Sequence, residues 1–441
     1  MNTESTQTLF LASIALLAVL AIARPHWILR PSFAFACLMS IVINPAAAFV
    51  MKPGYPDSPL FDSLRLSSVI FPLGVVVWVA CTPFLSTIAR RIGVSCRDGS
   101  LESGVLDRDA RITVWIGVAV CGLLSAWYFT AVSFSSTGLW AVIFAAEKAT
   151  VAREESLKLL DSVALKYAFS LGTTVVAMTT LILLTMRITY RRSLSSAVIL
   201  IIIIGLLALI GITGARMPIA KAILAVAITY SLTARKRSQL LALPVGLAGA
   251  ISVLVAITLW RSGKGVLDAG IGMSQGILDR AFVLPFETGL RTVQFAAERG
   301  FLDGANIRPY AMISDQRHIA LPSEVYHAFY YFPSQGPIES GSANTCFLFD
   351  FQAGFGIWQG WLIALISLGM LDFILLAILR VRGWLRPALL SVLMLGILGL
   401  ASSAFTTALL TGGIGLVAGI AVIAPMVIRK PRSGASRATA A

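Results

Sequence analysis

The chain has 441 residues, of which 57% are hydrophobic and only 13% are charged, and its mean hydropathy is +0.85. Soluble domains carry about 25% charged residues, so this composition excludes an ordinary soluble enzyme, and its hydrophobicity excludes a disordered chain. Apolar runs recur from end to end, which predicts an all-α polytopic membrane protein rather than a barrel of short alternating strands. The formal net charge of +14 would suggest nucleic acid in a soluble protein, but here an excess of cytoplasmic cations explains it more simply.

The apolar runs predict how often the chain crosses the bilayer. A span needs roughly 20 apolar residues, and by that measure there are about eleven spans. The first has the length of a signal sequence but no basic segment before it, so we interpret it as a retained span that enters from outside. The predicted spans cover residues 8–23, 32–51, 66–89, 112–131, 166–186, 194–213, 217–234, 240–259, 357–379, 387–408 and 412–428.

The basic residues predict the orientation of these spans. Short basic segments alternate with the spans, so all of them fall on one side of the membrane, and the positive-inside rule identifies that side as the cytoplasm. The N-terminus is then outside and the C-terminus inside. The segments carry Arg24 and Arg30; Arg90, Arg91, Arg97, Arg108 and Arg111; Arg187, Arg191 and Arg192; Arg235, Lys236 and Arg237; Arg380, Arg382 and Arg386; and Arg429, Lys430, Arg432 and Arg437.

Two segments on the opposite side are long. The first, 132–165, holds an amphipathic stretch from Val151 to Lys166, which we expect to lie on the membrane surface or to cap the bundle. The second, 260–344, has helical spacing over 276–299, and a loop of this length in a compact fold is usually functional. The predicted organisation is therefore transmembrane helices over 1–259, a large loop over 260–344, further spans over 345–428 and a basic tail over 429–441.

Three cations lie where the chain leaves the membrane on the predicted outer side. Arg216 stands in the tight Gly-Ala-Arg-Met-Pro reversal between the sixth and seventh spans, where a guanidinium is costly unless it meets an anion, a water-filled cavity or the lipid head groups. Arg261 and Lys264 open the large loop among Gly and Ser, a setting that suits a phosphate. An anion clamp and simple contact with lipid head groups both remain open.

Further along the loop, Arg280 and Arg291 are eleven residues apart. Three helical turns take about 11 residues, so the two guanidinium groups share a face if Pro285 does not break the helix. Arginine forks bind a pyrophosphate well. Local pairing with neighbouring carboxylates is the alternative on a solvated helix.

Several titratable residues are candidate proton carriers. His318, Glu324 and His327 in the loop can serve as a general base, and Asp350 lies near the outer mouth of the ninth span. Asp372 is the clearest ionisable residue deep in a span, with no partner visible in the sequence, and can belong to a proton relay. The five cysteines form no C-x-x-C pair, so neither a disulfide framework nor a zinc site is supported.

At this point the ordered motifs resemble those of a known family. The run from Ser342 to Gly360 resembles a stretch of the O-antigen and oligosaccharide repeat-unit polymerases of the Wzy type, in which Asn344, Phe347 and Asp350 are the matching positions. Upstream, Arg280-Ala-Phe282-Val-Leu-Pro285 is similar to that family's Arg-x-Phe-x-x-Pro segment, Gly214-Ala-Arg216 looks like its turn between spans, and Trp260-Arg261 matches the opening of its large periplasmic loop.

The resemblance implies a GT-C-like lipid-sugar polymerase in the bacterial inner membrane. Such an enzyme moves a growing glycan from undecaprenyl diphosphate onto the next lipid-linked repeat unit at the periplasmic face, with no nucleotide sugar, cofactor or metal, and works with a separate chain-length-regulating co-polymerase. With that reaction, Arg280 and Arg216 are the candidates to stabilise the leaving diphosphate, followed by Arg261 and Arg291, and Glu324, His318 or Asp350 is the base. Lys264 and Asn344 are further candidates for binding substrate. Tyr326, Tyr330 and Tyr331 are expected either to stack on sugar rings or to belong to an aromatic belt at the membrane surface.

Three alternatives remain. The related O-antigen ligase shares the architecture and donor, and its large loop usually carries a functional histidine, for which His318 or His327 would serve. A transporter or flippase of lipid-linked sugars that is coupled to protons would need Asp372, whereas a polymerase should tolerate Asp372→Asn. A structural or regulatory membrane protein is the third. No nucleic-acid partner is expected.

Overall fold

The computed structural model describes residues 3–49, 58–97, 108–145, 162–190, 196–234, 241–262, 282–331 and 343–427, together with isolated residues between 152 and 160 and residue 239. Every regular element in these ranges is helical. The α-helices are α1 (Thr3–Ala23), α2 (Pro31–Val42), α3 (Asn44–Phe49), α4 (Pro59–Cys81), α5 (Pro83–Ser95), α6 (Arg108–Ala131), α7 (Gly138–Phe144), α8 (Val163–Leu171), α9 (Met178–Tyr190), α10 (Ser196–Gly211), α11 (Arg216–Leu232), α12 (Ala242–Ser262), α13 (Leu284–Ala297), α14 (Arg308–Ile313), α15 (Leu321–Phe329), α16 (Phe347–Phe355), α17 (Ile357–Leu371), α18 (Ile374–Arg380), α19 (Leu385–Gly399), α20 (Phe405–Leu410) and α21 (Ile414–Val427).

Long apolar helices dominate this fold. Among the described residues, 7 helices are long and apolar enough to cross a membrane, as expected for a helical membrane protein. Three of them run through more than one element, namely α8 with α9, α17 with α18, and α20 with α21. They span Glu4–Ala23, Pro59–Cys81, Ala110–Ala131, Ala164–Thr189, Ala242–Trp260, Ile357–Arg380 and Phe405–Met426.

The other predicted spans are shorter or interrupted. The prediction for 32–51 is wrong as one helix, because the chain divides at Ile43 into α2 and α3. The prediction for 66–89 misplaces the helix, since α4 ends before Thr82. A residue that precedes proline is driven out of the α conformation, and Thr82 precedes Pro83. The predicted span 387–408 also breaks, between the end of α19 and the start of α20.

Two buried arginines satisfy helix ends inside the bundle. Arg65 Nε donates a hydrogen bond of 2.7 Å to the carbonyl of Ala47 near the end of α3. Arg386 Nε donates one of 2.7 Å to the carbonyl of Val381, and its Nη2 donates one of 3.1 Å to that of Leu379, at the end of α18. The last carbonyls of a helix have no partner within it, and lipid offers none. These guanidinium groups therefore let short helices end inside an apolar protein.

A third buried arginine, Arg30, also donates to the carbonyls at a helix end, and it forms an ion pair as well. Arg30 Nη1 donates to the carbonyls of Val79 and Thr82, at 3.1 and 3.2 Å, where α4 ends. Its Nη2 lies 2.5 Å from Asp372 Oδ2, and both side chains are 0% exposed. Ser32 adds a backbone N–H bond of 2.9 Å to Asp372 Oδ1. Asp372 thus has the partner that the sequence did not reveal.

Two of the cations used to predict the orientation are therefore not facing water. Arg30 and Arg386 are buried and bonded to protein groups. Their burial follows from the helix breaks beside them, since each guanidinium is drawn to carbonyls that lack helical partners. The orientation stays a prediction that depends on the remaining basic residues.

The large loop contains a small helical unit. α13, α15 and α16 surround a second hydrophobic core, and the described part of the loop contains the short helices α13, α14 and α15. α13 begins at Leu284, with Pro285 in its first turn, and lies within the predicted 276–299, of which 276–281 fall outside the described residues. The unit joins the membrane bundle through α13 and α16, where the rings of Phe286 and Phe349 are 5.9 Å apart. Its core side chains are Phe295, Ala296, Leu302, Leu321, Val325, Ala343 and Ala353.

We expect Asp372→Asn to destabilise the protein by about 3–5 kcal/mol, because it leaves the Arg30 guanidinium buried without its counter-charge. The measurement is chemical unfolding of the purified protein in detergent. The double variant Arg30→Met with Asp372→Leu serves as the matched control and should lose less stability than the single change. Equal unfolding midpoints for wild type and Asp372→Asn would contradict the expectation. Because Asp372→Asn is expected to destabilise the fold, a loss of activity in this variant would not by itself indicate proton-coupled transport.

Candidate functional site

The segment that carries the family resemblance is held in place by a buried amide. Asn306 Nδ2 donates to the carbonyl oxygen of Asp350 at 2.8 Å and to its carboxylate Oδ1 at 3.0 Å. Asp350 lies in α16, outside the long spanning helices, and is 5% exposed. Burial raises the pKa of Asp350 to about 6, and the Asn306 hydrogen bond opposes part of that rise. The side chain therefore faces the protein interior, away from any incoming hydroxyl group.

The glycines of the same segment are required by close packing. A Cβ at Gly354 would lie 2.7 Å from Asn306 Oδ1, and one at Gly360 would lie 2.4 Å from the carbonyl oxygen of Phe351. Gly356 links α16 to α17 with a φ of 85°, which side chains disfavour. These glycines let α16 pack closely against α17. At these positions of the motif, glycine is therefore required by packing.

α16 also fixes the break between α19 and α20. The backbone N–H of Phe347 donates to the carbonyl of Leu400 at 3.1 Å, which satisfies one group of the interrupted helix. The ring of Phe405, at the start of α20, lies 5.9 Å from those of both Phe347 and Phe351. The motif segment thereby sets the position of residues 400–405.

The reversal that carries Arg216 is packed directly against α7. A Cβ at Gly138 would lie 2.1 Å from the carbonyl oxygen of Thr213, so only glycine permits this approach. The N–H of Leu139 donates to the carbonyl of Ile212 at 2.9 Å. Arg216 itself begins α11 and its Nη1 donates to the hydroxyl of Thr258 in α12. The guanidinium therefore links the start of α11 to the last turns of α12.

The start of the large loop adjoins this reversal. Trp260, two residues beyond Thr258, donates its indole N–H to the carbonyl of Val142 at 2.8 Å, which ties α12 to α7. Arg261 lies in the last turn of α12, three residues beyond the Thr258 that Arg216 contacts. The side chain of Arg261 and the whole of Lys264 and Arg280 lie outside the described residues.

A cavity of about 400 Å³ opens beside the Arg216 reversal. Ala215 and Met217, the neighbours of Arg216, belong to its wall. Two lysines and many hydroxyl groups line it, and no described lining residue is a carboxylate. Its polar lining residues are Lys166, Ser170, Thr173, Thr174, Thr213, Lys221, Ser402, Ser403, Thr407 and Thr411.

The cavity forms where helices depart from regular geometry. Between α8 and α9 the chain is a π-helix over Gly172–Ala177, and such turns frequently occur at functional sites. Opposite it, the break between α19 and α20 and the Gly412–Gly413 turn before α21 supply irregular backbone, and Gly413 has a φ of 88°. Non-helical backbone at membrane depth is tolerated where it is buried in protein or lines a cavity, which is the arrangement here.

The remaining candidates lie on the helical unit of the loop, and none of them lines the cavity. Arg291 Nη1 donates to Gln294 Oε1 at 3.1 Å, and its guanidinium lies 5.2 Å from the ring centre of Phe329. The side chains of His318 before α15, Glu324 in α15 and Asn344 before α16 are exposed. Three tyrosines are half-buried: Tyr326 lies in α15, and Tyr330 and Tyr331 follow it directly.

His318 has the protonation state that a base requires. Partial burial and the nearby Arg308 lower its pKa, so the imidazole is neutral near pH 7. The ring of His327 in α15 stacks edge-on with Tyr326 and Tyr331, with centroids 5.7 and 5.4 Å away. His318 therefore remains a candidate for proton transfer.

Comparison with known proteins adds no relative: no family model, no curated protein and no solved structure matches the chain. Within the part of the chain that the structure describes, no group of three or more His, Cys, Asp or Glu side chains could hold a metal ion.

The cavity lysines are functional candidates that sequence reasoning did not identify. Lys221 falls inside the predicted seventh span, five residues after Arg216, and Lys166 lies at the start of a spanning helix. The signal that could have identified Lys221 is its position as an ionisable residue inside a predicted span. The amphipathic 151–166 segment lies largely outside the described residues, and its last four residues already belong to α8.

We predict that the buried Asp350 makes folding stability fall as the pH rises. Its native pKa of about 6 exceeds the usual 3.8, so the native state holds a proton that the unfolded state loses between these values. Stability should therefore drop by about 2–3 kcal/mol from pH 4 to pH 6.5 through this group. Unfolding midpoints of wild type and Asp350→Asn at both pH values test this. Parallel behaviour of the two proteins would contradict it.

Proposed function

We propose that this protein is a glycosyltransferase that polymerises undecaprenyl-diphosphate-linked oligosaccharide repeat units into O-antigen or a related surface polysaccharide. The observation that carries the proposal is the cavity beside the Arg216 reversal, which bears cations and hydroxyls, has no described carboxylate in its lining, and lies among membrane-spanning helices. A substrate with an apolar tail and an anionic head group matches such a site in both chemistry and place. The polar wall residues lie in the predicted outer halves of the spans or in the turns between them.

The reaction needs charge stabilisation more than covalent help from the protein. The bond between the anomeric carbon and the diphosphate oxygen breaks, and a bond from that carbon to an acceptor hydroxyl oxygen forms. The hydroxyl proton passes to a base, and the diphosphate leaves with its negative charge. Cations that face the leaving group lower the barrier. Arg216 is the described candidate, and Arg280, Arg261 and Lys264 follow from the resemblance.

The geometry ranks the bases that the sequence offers. Glu324 and His318 are exposed on the helical unit of the loop, and so are accessible to an acceptor hydroxyl. Asp350 is enclosed and bonded to Asn306, which supports a role in holding α16 rather than in taking a proton. Tyr326, Tyr330 and Tyr331 keep part of their rings accessible, and sugar rings stack on such surfaces. Asn344 and Arg291 lie on the same unit and can bind the glycan.

One observation favours the O-antigen ligase as the second candidate. His318 is exposed and its lowered pKa leaves a neutral imidazole, which suits the functional histidine expected of that enzyme. Transport is less well supported, because Asp372 is bonded to Arg30, Ser32 and Trp78 within the bundle. A chain-length-regulating co-polymerase is the partner we propose for the polymerase.

The test is the lipopolysaccharide ladder of a deletion strain that is complemented with variants. We expect the deletion to leave core with a single repeat unit, and wild type to restore the ladder. Arg216→Ala should fail to restore it, because loss of one donor to a developing anion costs about a hundredfold in rate. Arg216→Lys should recover part of the activity, and Arg382→Ala, which removes an exposed arginine away from the cavity, should behave as wild type.

Three outcomes would count against the proposal. A full ladder from Arg216→Ala at normal protein level would remove Arg216 from the chemistry. Bare core together with long chains on the lipid carrier would identify a ligase, and His318→Ala should then abolish activity. An unchanged ladder in the deletion strain would exclude both transferases in that pathway.

A further inference from the structure

Lys221 places a positive charge in the wall of the cavity. It lies in the second turn of α11, and its side chain is half-buried. Within the described part of the chain, no hydrogen bond or ion pair engages its ammonium group. A lysine amine inside a span is costly unless it faces water or an anion. The cavity therefore contains a cation for which the protein supplies no described counter-charge.

Three hydroxyls around the cavity are also available. Several neighbours, such as Thr173 and Ser403, already donate to carbonyls of their own helices. Thr213, Ser402 and Thr407 have no protein hydrogen-bond partner for their hydroxyls among the described residues. The described lining includes no carboxylate. These hydroxyls can therefore donate hydrogen bonds to a negatively charged ligand in the cavity.

Two long helices begin at the cavity and add to its positive potential. α11 has 17 residues and follows Ala215, and α21 has 14 residues and follows Gly412 and Gly413. Ala215 and Gly412 both line the cavity. The first N–H groups of a helix lack helical partners, and its N-terminus carries about half a positive charge. These ends support the anion preference that Lys221 already gives.

The rest of the wall is apolar and suits the hydrocarbon part of a lipid. It comprises side chains from α9, α10 and α19, among them Met178, Leu209, Ile210, Val392 and Leu395. A fully charged soluble anion would gain nothing from this surface, whereas an amphiphile would bury its first methylene groups there.

We propose that the cavity binds the phosphate head group of a membrane amphiphile, and that Lys221 is its principal charge partner. This inference rests on the proposed function. If the protein is the proposed polymerase, the diphosphate of its lipid-linked glycan binds in this cavity, at the N-terminal ends of α11 and α21. Arg216, whose neighbours Ala215 and Met217 line the cavity, then lies beside the site, and Lys166 is an exposed residue of its wall.

Binding is measured with purified protein in nanodiscs of zwitterionic lipid. The probe is a fluorescent hexadecyl phosphate, and the uncharged fluorescent hexadecanol is its matched control. We expect Lys221→Met to weaken phosphate-probe binding by about tenfold or more, Lys221→Arg to recover most of it, and Arg382→Met to leave it unchanged. Hexadecanol should bind wild type and Lys221→Met equally. The thermal unfolding temperature of each variant establishes that it is folded.

Competition with inorganic pyrophosphate separates the two sources of phosphate. Displacement of the probe at comparable concentration would mean that the free anion suffices, which contradicts an amphiphile as the ligand. Weak displacement supports the lipid head group. Equal phosphate-probe affinity in wild type and folded Lys221→Met would overturn the proposal.

The same variants separate this proposal from the proposed function. Lys221-dependent binding with an unchanged ladder in the deletion strain would keep the phosphate site and reject polymerisation. Lost binding with a full ladder from Lys221→Met would contradict the assignment of the substrate diphosphate to this cavity. Loss of both in the same variant supports the two proposals together.

Discussion

Every backbone polar group inside the bilayer needs a protein partner, and this requirement shapes the whole molecule. An uninterrupted helix meets it automatically, but this chain divides several of its apolar segments. Each division exposes carbonyls that must find donors. Arg30, Arg65 and Arg386 supply them, and α16 supplies another donor at Leu400. The protein can therefore end helices within its apolar bundle without leaving their last carbonyls unpaired.

The break between α19 and α20, together with the π-helix and the Gly412–Gly413 turn, also creates the polar space of the cavity. A bundle of continuous helices would pack its interior with apolar side chains, whereas broken helices present hydroxyls, free helix starts and room for a lysine. The helical unit of the loop is attached to this region through α16, so the segment resembling known polymerases is mechanically joined to the cavity wall. The motif and the cavity are consequently parts of one arrangement, although no motif residue lines the cavity.

The sequence predicted the membrane class and the long helices, because apolar length is a local property of the chain. It missed the breaks at Ile43 and Thr82, since averaging hydropathy over a span conceals a local change of conformation. It could not pair Arg30 with Asp372, which are 342 positions apart. Lys221 was overlooked for a related reason: whether an intramembrane lysine faces a cavity depends on neighbours from distant helices. The Asn306–Asp350 bond, by contrast, explains in packing terms a motif that the sequence alone associated with chemistry.

The π-helical segment over Gly172–Ala177 gives the cavity an unusual dependence on chain length. A π turn accommodates about one residue more than an α turn, so it takes up that residue without rotating one half of the long helix against the other. Inserting a further residue there, with no second π turn to take it up, would rotate one half by about 100° relative to the other. Lys166 and Ser170 could then no longer share a wall with Met178. In this protein the polarity of the cavity is thus encoded by the number of residues in a helix as well as by their identity.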